Sequence, residues 1–203
     1  MHGSFAPVQT KSVYDRLLQT AKRLFAAQGV ENTTTAVIAR ESGTSESQLV
    51  KYFQSKEGLL QAIFEDGWQK LGFIYMASSI AEAPEEKLRI IFELLIKALS
   101  EDPDLRYLFL LEGRRVRHKS SEILITEGYH RLMKEVEALT RAVLAKSPRA
   151  QKLTARGLAS GLVGTIESML RDQTLTERRT GKAEPSAEEV REMFHLMLQA
   201  VTK

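Results

Sequence analysis

Between residues 44 and 56 this sequence presents Thr44, Ser45, Glu46, Ser47, Gln48, Lys51, Tyr52 and Lys56, short polar side chains followed at helical spacing by cations and a phenol. Hydroxyls, an amide and a carboxylate on the first turn of an exposed helix suit the donor and acceptor edges of base pairs, and lysines and a tyrosine one turn on suit phosphate oxygens. Two short helical patterns meet there at Gly43. The first opens at Thr34, a good N-cap, and places Val37, Ile38 and Ser42 at helical spacing before Gly43 breaks it. The second opens at Ser45, whose hydroxyl can accept from the Gln48 N–H while the Gln48 side chain reaches back to Ser45, a capping box. Leu49, Tyr52 and Phe53 supply its inward face and leave Glu46, Ser47, Gln48 and Lys51 outward. This is the layout of a helix-turn-helix.

Further helices must hold that pair. Residues 1–10 read as a loose arm, after which Val13, Leu17, Ala21, Leu24 and Phe25 form one face of a helix ending at Gly29. After Ser55, another N-cap, Leu59, Leu60, Ile63, Phe64 and Leu71 pattern a fourth helix toward Ala81. Pro84, with Glu85 and Glu86 in the first turn, opens a fifth, and Asp102-Pro103 caps a sixth reaching Arg117. Ser120 or Ser121 opens a seventh to about Lys146, and Ser147-Pro148 an eighth to about Leu175. TERRTGKAEP reads as a loop, and Ser186 with Glu189 is a capping box for a last helix to Val201.

The eighth helix carries Gly157, Ala159, Ser160, Gly161 and Gly164 within an apolar stretch. Glycine costs up to about 1 kcal/mol in a helix interior, so three together mark a close helix contact, with a second copy of the chain or with a neighbouring helix of the same chain.

The chain has 203 residues, 43% of them hydrophobic, enough for one large or two small cored domains. It has no apolar run of membrane-spanning length, and MHGSFAPVQTKS lacks a signal-peptide core, so a cytoplasmic protein is expected. The absence of cysteine excludes disulfides, thiolate zinc sites and cysteine nucleophiles. The net charge is only +3, so the DNA reading rests on the motif and not on a basic patch. GxSxG, GxGxxG, the phosphate loop and HExxH are all missing, and His2, His118, His130 and His195 have no metal-ligand spacing. Catalysis is not expected, nor any cofactor or metal. The rival to a DNA-binding protein is an all-helical protein-interaction module whose first helices dock a protein groove.

Arg16, Ala21, Leu24, Phe25, Gly29, Thr33, Thr34, Ile38, Ala39, Gly43, Ser45, Leu49, Tyr52, Phe53, Lys56, Leu59 and Leu60, in that order, resemble the DNA-binding domain of the tetracycline-repressor (TetR) family of bacterial transcriptional regulators. The resemblance covers about a quarter of the chain. It implies an all-α protein with an N-terminal three-helix helix-turn-helix domain, residues 1–56 with the arm, and a helical ligand-binding and dimerisation domain, residues 57–203. It further implies a homodimer that holds double-stranded operator DNA, most simply as a repressor, and leaves it when a small-molecule effector binds, with the fourth helix as the lever. Gln48 is then the best base reader, with Ser47 and Glu46 secondary, and Thr33, Thr34, Lys51, Tyr52 and Lys56 grip phosphates. Val50 stands where the family usually has a tyrosine. Glu46 stands where lysine or proline is frequent, and is either a specificity residue or a solvated cap charge.

The same resemblance implies that the last two helices form a four-helix dimer seam, here through Gly157, Gly161, Leu162, Gly164, Ile166, Met169, Phe194, Leu196, Met197 and Val201. It places an apolar effector cavity between the fifth to eighth helices, with Tyr107, Phe109, Glu112, Tyr129, Met133 and Glu167 as candidate lining. Each has another reading. Phe109 and Met133 suit a core, the tyrosines can expose their hydroxyls, Glu112 can pair with Arg115 or Lys119, and Glu167 with Arg171. The cluster RRVRHK at 114–119 suits an anionic ligand or a solvated helix end.

Overall fold

The computed structural model describes residues 12–112, 127–147 and 152–202. The arm at 1–10, the cluster at 114–119 and the helix openings expected at 120–121 and at Pro148 lie outside the described residues. Within them the chain is helical, with no strand. The helices are α1 (Val13–Gln28), α2 (Thr35–Glu41), α3 (Glu46–Phe53), α4 (Lys56–Lys70), α5 (Phe73–Ser78), α6 (Pro84–Glu101), α7 (Pro103–Tyr107), α8 (Glu127–Leu144), α9 (Ala155–Thr180) and α10 (Ala187–Thr202), with a π-helical stretch Leu108–Glu112 after α7. No helix among the described residues is long and apolar enough to cross a membrane. The chain divides into two compact units, Met1–Ile63 and Phe64–Lys203, so the division falls inside α4 and not at residue 56.

Local chemistry sets most boundaries. Ser12 and Asp15 close a capping box at the start of α1, and Gly29, at φ 85, ends it with its N–H on the Phe25 carbonyl. Asp102 Oδ1 accepts from the Leu105 N–H at 3.0 Å and opens α7. Ser186 and Glu189 close the box that opens α10. The backbone N–H and then the hydroxyl of Ser186 hold the Glu189 carboxyl below its usual pKa.

The N-terminal unit is cored by Leu17, Leu18, Ala21, Leu24, Phe25, Ile38, Ala39, Leu49, Phe53, Leu59, Leu60 and Ile63. Each large side chain buried here stabilises the fold by about 1.5–3 kcal/mol. In the C-terminal unit α6 supplies Leu88, Ile91, Phe92, Leu95, Ile96 and Leu99 to the core and packs on α5, α8 and α10. Phe92 stacks on Phe194 of α10 with ring centroids 4.4 Å apart.

Three helix boundaries depart from the sequence expectation. The fourth helix does not reach Ala81: α4 stops at Lys70, the Gly72 N–H turns back to the Gln69 carbonyl, and α5 starts afresh at Phe73. The eighth helix opens at Ala155, where the Thr154 hydroxyl accepts from the Gly157 N–H at 3.0 Å. It also runs on to Thr180, so TERRT is helix and only residues 181–186 are loop. Arg178 and Arg179 sit in the last turn, where cations favour the carbonyl end, and Gly181 closes the helix in the left-handed conformation at φ 74.

Arg106 and Glu112 are the buried charged residues among those described, and Arg106 keeps only 4% of its surface exposed. Its Nη1 donates to Gln173 Oε1 at 3.0 Å and its Nη2 pairs with Glu177, both on α9. The Gln173 amide nitrogen donates in turn to the Pro185 carbonyl at 2.8 Å, so one network ties α7, α9 and the loop before α10.

Candidate DNA-binding interface

The reading pair is anchored from behind and left open in front. Arg16 of α1 donates from Nε to the Ser42 carbonyl at 3.1 Å, and Arg23 pairs with Glu41, so α1 holds the end of α2. Gly43 takes φ 66, a left-handed turn residue, and the Thr44 N–H returns to the Ala39 carbonyl at 2.9 Å. Ser45 then caps α3, accepting from the Gln48 N–H at 3.3 Å. Gln48 does not return the bond. The Ser45 hydroxyl lies 2.8 Å from that of Ser47 instead, and the Gln48 amide stands exposed on the surface. Leu49 and Phe53 pin the opposite face of α3 into the core.

Most predicted contact residues share this face. Ser45, Glu46, Ser47, Gln48 and Lys51 are exposed, while Thr44 and Lys56 are half-buried. Thr34 is exposed, but its hydroxyl accepts from the Val37 N–H at 3.3 Å as the cap of α2. Thr33 is a correction. It is fully buried, its hydroxyl donates to the Gly29 carbonyl at 2.8 Å and accepts from Gln28, and it buttresses the α1–α2 turn where no phosphate reaches it. Tyr52 is corrected too as an inward residue: it is 43% exposed and sits edge-on to the ring of Tyr14, with centroids 5.9 Å apart. Val50, 53% exposed, shares the open surface of the helix.

Two residues escaped the sequence reading. Tyr14 of α1 packs against both Tyr52 and Phe53, putting a second phenol beside the reading helix. Thr35 donates from its hydroxyl to Glu46 Oε2 at 2.7 Å, joining the first turns of α2 and α3. Tyr14 fits the apolar stripe of α1 and carried no separate signal. The Thr35–Glu46 contact spans eleven positions and two helices, which periodicity does not register.

In the C-terminal unit the six candidate lining residues stand in different surroundings, with Met133 in the core cluster and Phe109 and Tyr129 packed against it. Phe109 stacks on Trp68 at 5.0 Å. Tyr107 lies under the Arg178 guanidinium at 3.6 Å, Glu112 is buried, and Tyr129 and Glu167 are half-buried. A cleft of about 430 Å³ in this unit is lined by residues of α4, α5 and α8, among them Trp68, Tyr75, Glu127 and Arg131. Burial raises the pKa of the Tyr75 phenol, the nearby Arg131 cation lowers it to a smaller extent, and the net direction is upward.

The dimer candidates separate into two sets. Leu162, Ile166 and Phe194 are buried in the chain's own core and are not offered to a partner. A Cβ at Gly161 or Gly164 would meet open space, so a neighbouring helix of the same chain does not explain these two glycines. They floor an open groove of about 590 Å³ with Ser160, Thr165, Ser168, Met169 and Met193. Gly157 is exposed beside it, Leu196 is 53% exposed, and Met197 and Val201 are half-buried.

A capped helix crossing a glycine turn from its partner, apolar behind and polar in front, defines a helix-turn-helix reader of the DNA major groove. Residues 17–63 match the family described as bacterial regulatory proteins, tetR family. The N-terminal unit therefore carries the DNA-binding domain of that family, which favours DNA over a protein groove as the partner of its first helices. Over 168 residues it is 24% identical to the nucleoid occlusion factor SlmA of Vibrio vulnificus strain YJ016, covering 77% of this chain and 81% of that protein. Its fold matches the fatty acid degradation regulator FadR of Bacillus halodurans with a TM-score of 0.79 at 21% identity, over 94% of this chain and 96% of that one. FadR of Bacillus subtilis in complex with stearoyl-CoA matches with a TM-score of 0.77 at 17% identity, over 94% and 98%.

Proposed function

We propose that this protein is a cytoplasmic homodimeric repressor, not an enzyme, which reads an inverted-repeat operator with α3 and leaves it when a small molecule binds the C-terminal unit. The observation that carries the reading is the first turn of α3, where Glu46, Ser47 and Gln48 are exposed while Leu49 and Phe53 hold the helix rigidly from behind. The groove over Gly161 and Gly164 supports a second copy as the partner of α9, since two reading heads need a fixed separation. The acyl-CoA in the Bacillus subtilis FadR complex supports a small-molecule effector and supplies a first probe.

Gln48→Ala should relax base preference at one symmetric position of the operator, costing about 1–3 kcal/mol there. Lys56→Ala should weaken operator and scrambled duplexes alike and flatten the salt dependence by about one unit of slope per lost phosphate contact. Titrations of both duplexes at several salt concentrations separate the two effects. Equal losses for Gln48→Ala on both duplexes remove it as a reader, and no effect from either variant refutes the assignment of α3. Added stearoyl-CoA should release the operator and raise the melting temperature if the effector is an acyl-CoA.

The seam has its own test. Gly161→Leu puts a bulky side chain into the groove with a Cβ that meets nothing within 4 Å, so the folded protomer should persist while light scattering falls from twice the chain mass toward one. An unchanged dimer would place the seam elsewhere.

A further inference from the structure

Glu46 opens the reading helix, and its carboxylate is not loose. Thr35, the first residue of α2, holds Oε2 through a 2.7 Å hydrogen bond, and among the described residues no lysine or arginine pairs with Glu46. A charge that only complements the helix dipole acts from anywhere in the first turn and needs no fixed orientation. A carboxylate that reads a base needs one, because base-edge discrimination depends on the placement of a single acceptor. The Thr35 bond supplies that placement and leaves Oε1 with its acceptor capacity unused among the described residues.

We propose that Glu46, positioned by Thr35, selects cytosine in each operator half-site by accepting from the N4 amine in the major groove. This rests on α3 being the reading helix. An uncompensated anion close to backbone phosphates is repelled unless a donor meets it, so the position is selective by penalty as well as by attraction. Guanine and thymine offer acceptors at their major-groove edges and are rejected. Adenine offers the N6 amine, but its N7 acceptor lies beside it and repels the second carboxylate oxygen. Cytosine presents its amine beside a C–H. Glu46 is the specificity residue and Thr35 a positioning residue that touches no base.

The test is selection of binding sites from a pool of random duplexes by wild type, Glu46→Gln, Thr35→Val and Thr35→Ser. Wild type should enrich an inverted repeat with cytosine at one symmetric position, and Glu46→Gln should lower that preference roughly tenfold while the other positions stay. Thr35→Val should erode the same position alone, and Thr35→Ser should restore it. N4-methylcytosine there removes the groove-facing N–H, and should weaken wild type by a similar factor while leaving Glu46→Gln unchanged. Cytosine preference that survives Glu46→Gln, or no cytosine preference in wild type, overturns the proposal. A Thr35→Val loss spread evenly over all positions overturns the positioning role. Failure of wild type to enrich any inverted repeat is a separate result, and it removes the DNA reading beneath.

Discussion

Glu177→Ala should destabilise the C-terminal unit by about 3 kcal/mol, more than removing the arginine that Glu177 pairs with. The asymmetry comes from burial. Arg106 is 4% exposed and Glu177 is 41% exposed, so loss of the glutamate strands a guanidinium in the interior, while loss of the arginine leaves a carboxylate that water can reach. The stranded cation would keep only the Gln173 carbonyl, because its Nε already has no partner among the described residues. Arg106→Met should cost about 1–2 kcal/mol, the penalty for leaving the buried Gln173 oxygen unsatisfied, since Gln173 still donates to Pro185. Combining Arg106→Met with Glu177→Ala should recover most of the single-glutamate loss, a coupling that a double-mutant cycle reads directly. At fixed protomer concentration the Glu177→Ala melting temperature should fall by roughly 6–12 °C for a chain of this size. Equal and additive losses from the two single changes would show that the guanidinium is solvated.

What the sequence discloses here is mostly short-range. Thr34, Ser45, Ser55, Asp102 and Ser186 announce helix starts because an N-cap acts on an N–H two or three residues away, and the structure has helices opening at each. Gly43 marks the turn for a similarly local reason, its positive φ. The break at Leu71–Gly72 was hidden because the apolar pattern of α4 continues without a gap into α5. The end of α9 lies beyond the expected Leu175 because a charged last turn resembles a loop in sequence, although Arg178 and Arg179 before Gly181 are an ordinary helix finish. Periodicity reports that a helix has an apolar stripe but not what covers it. On α9 and α10 it could not separate Leu162, Ile166 and Phe194, which face the chain's own core, from Met193 and Leu196, which do not. The burial of Thr33 depends on Gln28 and Gly29 across the turn between α1 and α2, a contact that helical periodicity does not register.

Gly58→Ala should weaken operator binding through the reading helix although residue 58 lies outside it. Alanine in place of a helical glycine ordinarily stabilises by up to about 1 kcal/mol. Here a Cβ would fall 2.1 Å from the Phe53 carbonyl oxygen, and that atom is backbone that cannot swing aside. The same carbonyl accepts from the Ser55 N–H at 2.7 Å, closing a three-residue turn in which Gln54 takes φ 64 and ψ −40, a conformation that L side chains rarely adopt. The end of α3 and the start of α4 therefore meet at one oxygen, with a strained residue on one side and a required glycine on the other. An added methyl must push α3 away from α4, so the sign of the usual substitution should invert to a loss of about 1–3 kcal/mol, as for other overpacked sites. Because Leu49 and Phe53 fix the aim of α3, the displaced helix should also lose affinity for operator more than for scrambled duplex. Gln54→Gly relieves the strain without moving the carbonyl and should raise stability by about 1 kcal/mol with operator affinity unchanged. Urea unfolding and paired duplex titrations of both variants decide the point, and a Gly58→Ala protein as stable as wild type would show that the two helices are not in contact through Phe53.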